Sequence, residues 1–262
     1  MTTLLSTVLV CTVVCCLVML SVWIWAYRIK NAGVVDIFWA FNFSVIAILL
    51  YFLATGLPER KMLMCAMVFI WSMRLGIYLL IRVGSHLKVE EGRYKKLREE
   101  WTPKANTKFF FFFQAQALSN IYLAIPFFLA CFNPRPELDV TEYIGIAVWA
   151  ISITGEGIAD GQLKKFKNNP GNKGKVCNAG LWNYSRHPNY FFESMIWIGY
   201  FLMALNAKYG WLAILSPATI LFLLFRLTGI PMTEEQSIRS KGDAYRAYQR
   251  TTSVFVPWFK KK

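Results

Sequence analysis

Residues 4–25 run for 22 positions without a charged side chain. That is enough to cross the ~30 Å hydrocarbon layer of a bilayer as a helix. Six further apolar stretches of spanning or near-spanning length follow, at about 34–54, 62–81, 109–132, 143–163, 190–206 and 211–227. The pattern predicts an all-α polytopic membrane protein with seven transmembrane helices in a single domain, 1–262. The polar stretches 82–108, 164–189 and the tail 228–262 are then its main extramembrane parts. No Lys or Arg precedes the first run and no small-residue cleavage site follows it, so it reads as a retained helix rather than a signal peptide.

Composition agrees: 56% of residues are hydrophobic, and the mean hydropathy is +0.38. The charges orient the helices. If seven spans alternate sides, one side carries 24 of the 29 Lys and Arg residues, counting Arg226 at the end of the seventh span, and the other only Arg60, Lys61, Arg135 and Lys208, with Arg74 inside the third span. By the positive-inside rule the N-terminus lies outside and the C-terminus in the cytoplasm. The net charge of +14 therefore flanks the membrane, which points to lipid or a phosphate-bearing ligand and away from nucleic acid. Cys11, Cys15, Cys16, Cys65, Cys131 and Cys177 show no CxxC or zinc spacing. They read as small apolar fillers, with neither a metal site nor a disulfide.

Polarity inside apolar spans marks function, because it is costly in lipid. Asp36, Glu156, Asp160 and Glu193 fall within or at the mouths of spans. In "WSMRLGIYLLIR", Arg74, Tyr78 and Arg82 recur every fourth residue and share a helix face, with Trp71 one turn earlier. Two cations beside one phenol make Tyr78 a better proton or hydrogen-bond donor. Glu156, Asp160, Lys164 and Lys167 form a second stripe, extended by Lys173 and Lys175 in the following loop. The nearby Gly155, Gly157 and Gly161 do not fit the Rossmann spacing and lie in a helix. In "GLWNYSRHPNYFFE", Tyr184, Arg186 and His187 precede a helix opened by Pro188, with Asn189 and Glu193 on one face. A helix start beside an arginine is an anion-tolerant platform.

These blocks, with "VVDIFWAFNF" before them and "GIPMTEEQ", "YRAYQ" and "FVPWF" after, resemble the bacterial branch of the steroid 5-alpha-reductase family over about 34–259. The "SRHPNY" segment alone is shared more loosely with sterol reductases and isoprenylcysteine carboxyl methyltransferases. The resemblance implies a seven-helix bundle, in a bacterial inner membrane, that takes NADPH from the cytosol and a lipophilic, steroid-like enone from the membrane. It assigns Asn189 and Glu193 to the nicotinamide end, and Glu156, Asp160, Lys164 and Lys167, with Lys175, to the adenosine and phosphate end. Glu234 closes the pocket, Tyr184, Arg186 and His187 complete the cofactor platform, and Arg74, Tyr78 and Arg82 face cofactor and substrate. Where mammalian members pair a tyrosine with a glutamate at the substrate carbonyl, this chain has Trp71 and Asp36, so the donor at the carbonyl oxygen is Tyr78, Asp36 or Trp71. The implied reaction is hydride transfer to the beta carbon of the enone. A membrane methyltransferase using S-adenosylmethionine is the alternative, and an ion-relay transporter a more distant one. A monomer is the expected state.

Overall fold

The computed structural model describes residues 3–90, 92–227 and 229–260. Lys261 and Lys262, at the end of the expected basic tail, lie outside the described residues. The architecture is all-α, with no strand among the described residues. The chain divides into two compact units: Met1–Asp139 with Ala204–Ala213, and Val140–Met203 with Ile214–Lys262.

The first unit holds α1 (Leu4–Ile29), α2 (Val34–Leu53), α3 (Pro58–Gly84), α4 (Gly92–Trp101), α5 (Ala105–Leu123) and α6 (Ile125–Cys131). α1 is apolar all round, and it buries the seam Thr7, Cys11, Cys15, Met19, Val22 and Ala26, spaced three or four residues apart. In lipid, apolarity alone does not pair helices; small side chains and interhelical hydrogen bonds do. α2 and α3 show both. A Cβ on Gly76 would lie 2.4 Å from the Phe41 ring. The Ser44 and Ser72 hydroxyls meet at 2.7 Å, and Ser72 Oγ donates to the Ala40 carbonyl at 2.6 Å. Asn120 of α5 joins the set, accepting from Asn42 Nδ2 and donating to the Trp39 carbonyl, each at 3.0 Å.

The second unit holds α7 (Val140–Asn168), α8 (Pro188–Ala204), α9 (Leu215–Phe222), α10 (Ile230–Lys241) and α11 (Asp243–Thr251). α7 and α8 approach closely through glycines: a Cβ on Gly145 would lie 2.8 Å from the Gly199 carbonyl oxygen. Trp149 Nε1 donates to Tyr200 Oη at 3.0 Å across the same contact.

Among the described residues, four helical stretches are long and apolar enough to cross a membrane: α1, α2, α3 and the run Gly210–Lys241. A fifth is formed if α5 and α6, bent by 43°, count as one span. The single helix expected over 109–132 is thus broken at Ala124. Pro126 has no N–H to continue the ladder, and Phe127 N bonds back only three residues, to the Ala124 carbonyl. The expected fifth and sixth spans form as helices but do not meet the same test. α8 has 17 residues, about 26 Å at 1.5 Å per residue, and the 29-residue α7 interrupts its apolar run with Glu156 and Asp160. The described residues of the stretches expected outside the membrane, 82–108 and 228–262, are themselves largely helical and form α4, α10 and α11.

Candidate functional site

In the second unit the segment before α8 is docked onto α7. Gly180 has φ of +58°, and a Cβ there would meet the Gln162 side chain at 2.4 Å, so both conformation and space call for glycine. Gln162 Oε1 accepts from Leu181 N at 2.9 Å, and Trp182 Nε1 donates to the Ala159 carbonyl at 2.8 Å.

Four residues on, the segment ties itself to α10 and α11. Arg186 Nε donates to Glu234 Oε1 at 2.6 Å, and its Nη1 donates to the carbonyls of Gln249 and Thr252 at 2.9 and 2.8 Å. His187 Nε2 lies 3.2 Å from the same carboxylate oxygen, and Gln249 Nε2 donates to Oε2 at 2.8 Å. A carboxylate only accepts, so the His187 proton sits on Nε2. The His187 ring stacks on Tyr190, at 5.3 Å and 3°. Ser185 Oγ donates to the Phe255 carbonyl at 2.7 Å, and Arg186 N to the Ser253 carbonyl at 2.8 Å. Tyr248 Oη donates to the Trp182 carbonyl, and burial raises its pKa, keeping the phenol a donor. Burial, and after it the charge of Glu234, pushes Tyr245 up to about 12. Tyr184 is exposed at its side chain, while its carbonyl accepts from Trp258 N at 3.0 Å.

Asn189 connects this joint to α7: its Nδ2 donates to Asp160 Oδ1 at 3.3 Å. One turn along α8, Glu193 Oε1 accepts from Trp197 Nε1 at 2.8 Å. One turn back along α7, Glu156 is buried. Asp160, Asn189 and Glu193 are half-buried, while Lys164, Lys167 and Lys175 are exposed. The second unit therefore brings together two carboxylates of α7 with an amide and a carboxylate of α8, and carries exposed lysines beyond them.

The carbonyl-side candidates lie in the first unit. Arg74, Tyr78 and Arg82 all fall on α3, where Tyr78 is 53% exposed. Trp71 is fully buried, its indole edge-on to Phe43 at 5.2 Å. Asp36, on the first turn of α2, accepts from Tyr94 Oη at 2.6 Å and pairs with Arg82 at 3.8 Å. Tyr94, on α4 and 1% exposed, is a member of this set that no motif announces. Gln249 and Tyr248 likewise join the second-unit joint through contacts that span more than sixty residues.

Long apolar helices, polar groups paired between helices and a buried charged joint define a helical membrane protein with a built polar site. The chain belongs to the DUF1295 family, described as a protein of unknown function, whose model matches residues 22–252. That family lies in the steroid 5-alpha-reductase-like superfamily. The chain is similar to an uncharacterized protein of Schizosaccharomyces pombe, C594.04c, with 26% identity over 264 residues, covering 87% of this chain and 73% of the relative. A shorter segment resembles a probable O-methyltransferase of Ustilaginoidea virens, ustE, with 41% identity over 46 residues, or 18% of this chain and 16% of the relative. No solved structure matches.

Proposed function

We propose that the protein is an NADPH-dependent oxidoreductase that saturates the C=C bond of a lipophilic, steroid-like alpha,beta-unsaturated ketone. In this reading it is a bacterial-branch member of the steroid 5-alpha-reductase family, spanning the inner membrane seven times with the cofactor side in the cytoplasm. The observation that carries the reading is the Asn189–Asp160 contact between α8 and α7, with Glu156 one turn back along α7 and Glu193 one turn along α8, both on the side of the Gly145–Gly199 contact. This donor and acceptor set fits the carboxamide and ribose hydroxyls of a dinucleotide, and the exposed Lys164, Lys167 and Lys175 fit its 2′-phosphate. Arg186 is neutralised by Glu234 and holds the joint, so the phosphate contact falls to the lysines.

Bound NADPH would supply the hydride. The chain's own part is to stabilise negative charge on the ketone oxygen as the beta carbon is reduced, which requires a preorganised donor at that oxygen. In this reading the Tyr78 phenol O–H is that donor, one turn from Arg74 on α3. Asp36 accepts from Tyr94 and pairs with Arg82, and so fixes the Tyr94 phenol.

The test is incubation of the detergent-purified protein with NADPH and a 4-en-3-one steroid. We expect NADPH consumption with formation of the saturated 3-ketone. Tyr78→Phe and Asp36→Asn should each lower turnover by on the order of 10²-fold, with little change in NADPH binding. A second reading, methyl transfer from S-adenosylmethionine, is favoured by the similarity to a probable O-methyltransferase. The nucleotide retained through purification separates the two, and retention of S-adenosylmethionine with methylated product would replace the first reading by the second.

A further inference from the structure

We propose that Cys65 and Cys131 form an intramolecular disulfide when a disulfide oxidant reaches Cys65 from the groove between α2 and α3. Their Sγ atoms lie 3.8 Å apart. That is van der Waals contact, to be closed to the ~2.05 Å of an S–S bond. The backbone on both sides is held in place. Gly56 N donates to the Cys131 carbonyl at 3.0 Å, and the fully buried Arg60 donates to the carbonyls of Asn133 and Arg135 at 3.1 and 2.9 Å. The start of α3 is thereby fixed against the end of α6, and side-chain rotation is the movement left to bring the sulfurs together. The two thiols are thus a preformed pair, although nothing in their spacing along the chain suggested one.

Access distinguishes them. Cys65, 7% exposed, lines a groove of about 390 Å³ with Ala47, Tyr51, Met62, Ala66 and Ile70, whereas Cys131 is outside that lining and 0% exposed. This fixes the order of events. The Cys65 thiol loses its proton, and the thiolate attacks one sulfur of an external disulfide RSSR, giving the mixed disulfide Cys65–S–S–R and releasing RS⁻. Cys131 then loses its proton and attacks Cys65 Sγ, closing the bridge and expelling the second RS⁻. Two electrons pass from the two thiols to the oxidant, and two protons are released. The bridge pins the helix whose following turns carry Trp71, Arg74 and Tyr78. In the topology proposed above, this end of the unit faces away from the reducing cytoplasm.

The experiment uses the purified full chain, reduced, freed of reductant and treated with 4,4′-dithiodipyridine, followed by peptide mapping without reduction. We expect a Cys65–Cys131 linked peptide pair in the wild-type protein. Cys131→Ser should trap a thiopyridyl adduct on Cys65, and Cys65→Ser should leave the Cys131 thiol reacting on the order of 10-fold or more slower than Cys65 does in the wild type. Cys131→Ala repeats the trap should a hydroxyl not be tolerated at that apolar site. A wild-type protein that keeps the adduct on Cys65 beside an intact Cys131 thiol overturns the proposal, as does one in which neither thiol reacts while the protein stays monodisperse. A bridge already present on purification supports it.

Discussion

Arg186 offers its guanidinium to Glu234 and to the carbonyls of Gln249 and Thr252, with its side chain only 11% exposed and that of Glu234 15% exposed. A charge so enclosed is tolerable only while its partner is charged. Glu234→Gln keeps the shape and removes the charge, and should lower stability by about 3 kcal/mol, read as earlier thermal unfolding in detergent. Little change would mean that water already neutralises this joint. The lysines make a different prediction. Neutralising Lys164 and Lys167 together should raise KM for NADPH by on the order of 10-fold while moving KM for NADH less than about 2-fold, because only the former carries the 2′-phosphate. Equal losses with both nucleotides would assign the lysines to the membrane surface. At this scale the sequence made half of each contact visible. The offsets of Arg186, His187, Asn189 and Glu193 around Pro188 mark a polar helix start. Glu234, the partner of Arg186 and His187, is 48 residues away from Arg186, and Tyr94 is 58 from Asp36. Such pairings depend on where helices pack, and local spacing carries no record of that.

The helices themselves were more legible than their contacts, since spanning length and apolarity are local properties. α1 and α2 fall close to their expected bounds, whereas 109–132 breaks at Ala124, ahead of Pro126, and the polar stretch after α3 folds into α4. α4 is positioned by Glu90, which precedes it. Glu90 accepts two hydrogen bonds from Arg98, each at 2.8 Å, and one from Ala32 N at 2.8 Å, joining the α1–α2 turn to α4. Burial works to raise the Glu90 pKa, but the Arg98 hydrogen bond, the Ala32 N–H and the Arg98 charge outweigh it and lower the pKa below the usual 4.5. A carboxylate whose pKa is lower folded than unfolded stabilises the fold fully above its unfolded pKa, and less as pH falls through the folded one. We therefore expect the wild-type protein to lose stability on acidification below about pH 4.5. Glu90→Gln should be less stable at pH 7 by roughly 1–3 kcal/mol. The gap between variant and wild type should narrow as the pH drops, and a gap of constant size would mean that shape rather than charge holds α4 in place.

For the molecule as a whole, length and charge pull the number of spans in different directions. Among the described residues four stretches, or five with the bent α5–α6 pair, are long and apolar enough to cross, whereas the charge asymmetry of 24 against 4 arises only if 143–163 and 190–206 cross as well. The two criteria weigh α7 and α8 differently. Hydropathy penalises Glu156, Asp160 and Glu193 as though each faced lipid, yet Glu156 is buried, Asp160 meets Asn189 and Glu193 meets Trp197. Polar groups paired inside a bundle are what functional membrane helices contain. A helix of 17 residues can still span where the bilayer thins or flanking side chains reach the interface, at fractions of a kcal/mol per Å of mismatch. We therefore predict that single cysteines placed at Lys88, Lys104, Lys173 and Arg239, in a background lacking the native cysteines, are labelled by a membrane-impermeant maleimide only after cells are opened. Cysteines at Glu59, Arg135 and Lys208 should be labelled in intact cells. Labelling of the Lys173 position from outside would mean that α7 does not cross, and it would remove both the seven-span count and the cytoplasmic cofactor side together.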